Sequence, residues 1–96
     1  MKMLLRFVID ATKGSDAIKS GALQKAIGGV IEKLKPEAAY FATDRGMRAG
    51  FMVFEMKSAN QQVEIAEPLF DLGCEIHLAP CMTPQDLQAG FAAAGR

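Results

Sequence analysis

Short apolar runs along the chain alternate with two longer segments of helical periodicity. The strand-like runs occupy residues 3–9, 37–43, 47–56 and 74–79. Apolar residues recur at helical spacing from about residue 16 to residue 34, and a second such stripe follows Ser58, which is predicted to cap the second helix. The order β-α-β-β-α-β predicts an α+β domain with a four-stranded antiparallel sheet and both helices on one face.

The two central strands read as a hairpin. Asp44-Arg45-Gly46 predicts its turn, and Gly50 indicates a bulge or a close approach within the third strand. Asp44, Arg45 and Arg48 are interpreted as solvated residues of the hairpin tip. This arrangement is the ferredoxin-like one, and it leaves one face of the sheet uncovered.

Capping residues and prolines mark the helix ends. Ser15 or Asp16 is placed to cap the first helix, and Pro36 ends it because the residue before a proline disfavours helical geometry. Pro68 should kink or end the second helix. Each glycine inside the first helix costs about 1 kcal/mol relative to alanine, so we expect close packing or local looseness there. These glycines are Gly21, Gly28 and Gly29.

The length indicates a single domain, residues 1–96. We divide it into a core, residues 1–80, and a C-terminal helical arm, residues 81–96, in which Thr83 caps a short helix. Half of the residues are hydrophobic, and 11 basic side chains balance 11 acidic ones. A core of this size has only moderate buried area, so subunit association would stabilise it. The charge balance favours neither nucleic acid nor membrane as a partner.

The N-terminus has the features of a strand, because its apolar run is interrupted by Arg6 and lacks a signal-peptide cleavage site. No run approaches the roughly 18 apolar residues that span a bilayer. Cys74 and Cys81 lie seven positions apart, on opposite faces of an extended segment, so no disulfide is expected. With one histidine they fall short of a zinc site. We therefore expect a cytoplasmic protein without metal or other cofactor.

Strand parity predicts which side chains occupy the face without helices, called the open face below. The helix-facing set is Leu5, Phe7, Ile9, Met52, Phe54, Met56, Ile76 and Leu78. The open-face set is Leu4, Arg6, Val8, Asp10, Phe51, Val53, Glu55, Glu75, His77 and Ala79. Either Tyr40 or Phe41 joins it. Such a face is too apolar for water and too polar for a core, which predicts a homodimer enclosing a partly polar cavity.

Three open-face residues are candidate catalytic residues: His77, Arg6 and Glu55. His77 is the only histidine, and an imidazole exchanges protons readily near neutral pH. The alternative is a histidine hydrogen-bonded to Glu55 or Glu75 across the dimer interface. Arg6 is suited to bind a carboxylate or phenolate, or else forms an ion pair with Glu55, Asp10 or Glu75. We expect the three candidates to lie within about 10 Å of one another, since neighbouring strands are about 4.8 Å apart.

A family resemblance appears at Phe51-Met52-Val53-Phe54-Glu55-Met56-Lys57-Ser58, followed by Pro68-Leu69-Phe70 and the strand around Glu75-Ile76. Over roughly residues 45 to 80 these motifs resemble the second half of small muconolactone isomerases. The resemblance implies the dimeric α/β-barrel superfamily, in which two ferredoxin-like sheets pack face to face around a cavity. In those isomerases an arm after the last strand packs on neighbouring subunits, and residues 80–96 are expected to build higher oligomers of dimers in the same way.

Different classes of function compete on this basis. The first is a cofactor-independent isomerase of small cyclic or aromatic acids, or a small monooxygenase, with His77 as proton shuttle and Arg6 as anion-binding group. The second is a non-catalytic barrel that binds a small ligand or only assembles. RNA binding through the sheet needs exposed aromatic and basic residues on the central strands. With Arg48 assigned to the hairpin tip, Phe51 has no basic companion, and the net charge is zero, so this class is disfavoured.

Overall fold

The chain folds into four strands and four helices around one antiparallel sheet. The computed structural model describes all 96 residues. The strands are β1 (Lys2–Ile9), β2 (Ala38–Asp44), β3 (Met47–Glu55) and β4 (Glu75–Pro80), and the helices are α1 (Ala11–Ser20), α2 (Ala22–Leu34), α3 (Gln61–Phe70) and α4 (Pro84–Ala93). The strand order is β2-β3-β1-β4. This α+β arrangement is compatible with a ferredoxin-like βαββαβ fold, which confirms the predicted fold class.

The core lies between the sheet and α2 and α3. The helix-facing side chains of β1 are all buried, with Leu5 fully inaccessible and Phe7 2% exposed. Met52 and Phe54 of β3 are each 1% exposed on the same side, and both helices bury apolar residues against them. Burial of one such side chain stabilises the fold by about 1.5–3 kcal/mol, so this layer holds the sheet in place.

The first helix differs from its prediction, because two helices occupy residues 11–34. Asp10 caps α1 by accepting hydrogen bonds from the amides of Thr12 and Lys13, so neither Ser15 nor Asp16 is the cap. Gly21 then adopts a left-handed conformation, φ 82°, which ends α1 and begins α2. The apolar periodicity continues across this glycine, and for that reason the pattern alone does not reveal the break.

The central hairpin has a tighter turn than expected. Asp44 is the last residue of β2, and only Arg45 and Gly46 form the turn, both with positive φ (51° and 78°). Such angles are typical of a two-residue type I′ hairpin. Gly50 is a close approach and not a bulge, because the β1–β3 register runs through it without interruption. A Cβ atom there would collide with the Phe7 ring.

The last two helices begin differently. α3 begins at Gln61, three residues after the predicted Ser58 cap, and Asn60 before it makes no side-chain capping bond. Pro68 lies inside α3, which ends two residues later. α4 begins as predicted, since Thr83 and Asp86 form a reciprocal capping box.

The helix of the C-terminal arm is exposed, and the two cysteines are not bridged. α4 buries none of its residues, and Leu87 and Phe91 remain 42% and 47% exposed. Both cysteines are free thiols, as expected, and burial raises the pKa of Cys74. None of the helices has the length and apolar character required to cross a bilayer.

Candidate functional site

The pairing register aligns four side chains across the open face. Tyr40 of β2 pairs with Phe51 of β3, Phe51 pairs with Arg6 of β1, and Arg6 pairs with His77 of β4. Directly paired residues of antiparallel strands share a face. Tyr40 therefore joins the open face, and Phe41 is on the helix side, which settles the choice that parity left open. We call these four residues the central row.

Arg6 makes an ion pair that the sequence did not predict. Its Nε donates to Oδ2 of Asp44 at 3.0 Å, and its Nη2 donates to the same oxygen. The hydrogen bond from Arg6 holds the pKa of the Asp44 carboxyl below its ordinary value. Glu55, Asp10 and Glu75 were the expected partners, so that expectation was wrong, as was the interpretation of Asp44 as a solvated turn residue.

The path of the Arg6 side chain explains an unusual burial. Val8 and Ala49 pair with each other and belong to the open face, yet they are only 2% and 3% exposed. Asp44 lies two strands away from Arg6, beyond this pair. The arginine must therefore cross over Val8 and Ala49 to reach it, and its aliphatic stem covers apolar surface in the way long charged side chains often do.

His77 has a carboxylate neighbour on its own strand. Its Nε2 lies 3.3 Å from Oε2 of Glu75, and the two side chains are 51% and 63% exposed. This contact lies within one chain, so the predicted hydrogen bond of His77 to Glu55 or Glu75 across a dimer interface stays a prediction. The imidazole is accessible from the open face.

Glu55 is not brought to the other two candidates. It pairs with Lys2, four positions from Arg6 along β1, which corresponds to about 13 Å of strand. Its carboxylate accepts a hydrogen bond from the N-terminal ammonium group at 2.9 Å. The structure thus places Arg6 and His77 side by side and Glu55 near the far end of the face.

The charges of the open face are balanced within the face itself. Lys2 contacts Glu37 at 2.9 Å, and the hydrogen bond between them raises the pKa of the lysine amine. Together with the ion pairs of Arg6 and Glu55, this gives each of these charged groups a partner of opposite sign. What remains unsatisfied on this face is its apolar surface, with Leu4 40% and Tyr40 72% exposed.

Arg48 is a residue whose role the sequence analysis missed. It lies on β3 with helix-side parity, and its guanidinium donates to the carbonyl of Ala11 at 3.1 Å and to Oγ of Ser15 at 3.2 Å. Arg48 thereby ties β3 to α1 and is not a solvated turn residue. The signal was present, because parity puts residue 48 on the same side as Met52.

The concavities of the chain all lie on the helix side. Three of about 390, 350 and 340 Å³ are formed by α3 with β4, by α2 with α3, and by α2 with β1, β2 and β3. None is lined by Arg6, Glu55 or His77. Comparison with protein-family models and with curated proteins finds no match to this chain.

Proposed function

We propose that two copies of this chain pack through their open faces as a dimeric α/β barrel, and that the space between the sheets binds a small cyclic or aromatic acid. The observation that carries the proposal is the central row. It joins two aromatic rings, a guanidinium and an imidazole across all four strands of a face that no helix covers.

A second copy suits the open face better than a charged partner. The ion pairs of Arg6 and Lys2 leave little net charge to attract another molecule, and the whole chain has a formal net charge of zero. Paired charges can enter an interface without leaving an uncompensated buried ion. Four strands of about eight residues span roughly 19 by 26 Å, or about 500 Å² before side-chain relief is added. That approaches the roughly 800 Å² per partner of a standard interface.

The central row supplies the contacts that an aromatic acid needs. Tyr40 and Phe51 present ring surface for apolar and edge-to-face contacts. Nη1 of Arg6 makes no hydrogen bond within the chain, so it is free to donate to a carboxylate. Asp44 weakens the net attraction by neutralising much of the arginine charge, which makes the rings the larger source of affinity.

Isomerisation is the catalytic form of this proposal, in line with the resemblance to muconolactone isomerases. Shifting a double bond in a cyclic acid requires a group that takes a proton from one carbon and returns it to another. His77 has the suitable chemistry, and Glu75 at 3.3 Å would stabilise the imidazolium formed in between. No cofactor is needed for such a proton transfer. Glu55 has no role in it.

Thermal unfolding with benzoate tests the binding proposal, with benzyl alcohol as its neutral counterpart. At about ten times Kd, binding adds about 1.4 kcal/mol, or roughly 5–10 °C in Tm for a domain of this size. Arg6→Met and His77→Ala should reduce the shift, whereas Asp44→Asn should increase it by freeing the arginine. Arg96→Met, at the exposed end of the arm and outside every ion pair, is the matched control and should change nothing. Equal shifts for all variants would contradict the proposal.

A further inference from the structure

The smallest of the three concavities has a distinct chemical character. It has a volume of about 340 Å³ and opens between α2 and the strands β1, β2 and β3, on the side of the sheet opposite the central row. We call it the Arg48 groove. Apart from the hydroxyl of Thr43, its polar side-chain component is one guanidinium. Its main lining residues are Phe7, Ile9, Leu23, Ile27, Phe41 and Arg48.

Arg48 carries a positive charge that no carboxylate neutralises. The hydrogen-bond acceptors of its guanidinium are a backbone carbonyl and a serine hydroxyl, and both are neutral. The ion pairs of the chain involve the N-terminus, Lys2, Arg6, Arg45 and His77, so no acidic oxygen lies within 4.0 Å of Arg48. A partly buried cation beside apolar walls gains strongly from an anion, because each is poorly solvated there.

The apolar part of the groove owes its shape to a glycine. Gly50 has no side chain, and the Phe7 ring occupies the space that a Cβ atom would fill. Phe41 meets Phe7 edge to face, with ring centroids 6.4 Å apart, and is still 54% exposed. The Phe41 ring and Ile27 of α2 thus leave an accessible apolar surface next to the guanidinium, whereas the Phe7 ring lies buried beneath it.

We infer that the Arg48 groove binds a small apolar carboxylate, with its hydrocarbon part against Phe41 and Ile27 and its carboxylate on Arg48. The volume is at the lower end of the range of about 300–1,000 Å³ for ligand pockets, which suits an acid of about six to ten carbons. The guanidinium keeps further N–H donors for the carboxylate, since only two of its five are used within the chain. This site is separate from the open face and independent of dimer formation.

Octanoate and 1-octanol test the apolar contact and the charged contact of the ligand separately, since they share a hydrocarbon chain and differ in charge. Binding is followed by amide chemical shifts and by calorimetry. We expect octanoate to bind at least about tenfold more tightly than octanol, as one charge-assisted contact contributes. Arg48→Met should abolish this preference and leave octanol binding intact, whereas Arg48→Lys should restore part of it. Ile27→Trp fills the groove and should weaken both ligands.

Arg6→Met separates this site from the open face, and it should leave octanoate binding unchanged. If the preference for octanoate over octanol is lost in Arg6→Met and kept in Arg48→Met, the anion is bound at the open face and the inference is wrong. Equal affinity for octanoate and octanol, or no saturable binding of octanoate, overturns it as well. Octanol binding by Arg48→Met serves as the check that this variant keeps its folded groove.

Discussion

The two faces of the sheet hold their arginines in opposite electrostatic states. Arg6 on the open face donates to the carboxylate of Asp44, whereas Arg48 on the helix side donates only to a carbonyl and a hydroxyl. The first charge is neutralised within the chain and the second is not. The comparison teaches that an arginine without an internal carboxylate partner attracts an anion with its full charge, whereas a paired arginine attracts it only weakly.

The faces also differ in what covers their apolar residues. On the helix side Leu5 and Met52 are at most 1% exposed, while on the open face Leu4 is 40% exposed. On the open face the charges are paired and apolar side chains remain exposed, which favours a second protein chain as partner. On the helix side the apolar side chains are buried and the charge of Arg48 is unpaired, which favours a small anion. The dimer and the Arg48 groove are the two corresponding proposals.

The largest expected effect separates neighbouring residues of β3. Met52→Ala should lower the free energy of unfolding by about 2–5 kcal/mol, because it leaves a cavity in the core. This loss should not depend on protein concentration. Val53→Ala alters the open face, so its smaller loss should grow with protein concentration as more dimer forms. Urea unfolding at two protein concentrations measures both, and identical concentration dependence for the two variants would remove the distinction between the faces.

Substitution of glycines is expected to have the next largest effect on the free energy of unfolding. Gly50→Ala should cost about 1–3 kcal/mol, because the new methyl group displaces the Phe7 ring. It should also weaken octanoate binding by reshaping the Arg48 groove. The control is Gly28→Ala in α2, where a Cβ atom meets nothing within 4 Å. That variant should be stabilised by up to about 1 kcal/mol through helix propensity. Urea unfolding compares them, and a stabilised Gly50→Ala would contradict this account of the groove.

Much of the fold was predictable because it depends on local alternation. Parity placed Arg6 and His77 on one face and Met52 and Phe54 on the other, and the register confirms both assignments. The break at Gly21 was not predictable in this way. Apolar spacing continues through it, and only the backbone conformation of that glycine reveals two helices.

The site was harder to predict from the sequence than the fold, because long side chains contact partners on other strands. The pairing of Arg6 with Asp44 crosses β3, and no spacing rule along one strand indicates it. Arg48 lies beside the hairpin turn, which predicted a solvated residue. Its strand parity, in contrast, predicts the helix side, where the structure places it. Tyr40 could be assigned only after the β2–β3 register was known.

Acid titration tests the ion pair between Arg6 and Asp44. Arg6 lowers the pKa of Asp44 in the folded state, so the pair stabilises the fold above the carboxyl's ordinary pKa. This stability is lost as pH falls through the lower folded-state pKa. Asp44→Asn should therefore show a weaker decline of Tm with falling pH than the wild type, in thermal unfolding followed by circular dichroism. An unchanged pH profile would show that the ion pair contributes nothing to stability.

The smallest effect is expected in the arm. Phe91 is 47% exposed and α4 buries no residue, so Phe91→Ser should change the free energy of unfolding of the isolated chain by no more than about 0.5 kcal/mol. Its consequence should be confined to assemblies larger than a dimer, which analytical ultracentrifugation at high concentration detects. A large destabilisation at low concentration would mean that the arm packs on its own core.

Molar mass by light scattering at micromolar concentration tests the central claim, that a second copy covers the open face. The account predicts a dimer for the wild type and a monomer for Val53→Lys, whose charge would be buried between the sheets. Ile31→Lys, at a residue of α2 that is 36% exposed, is the matched control and should remain dimeric. A monomeric wild type, or a dimer that survives Val53→Lys and is lost in Ile31→Lys, would contradict it.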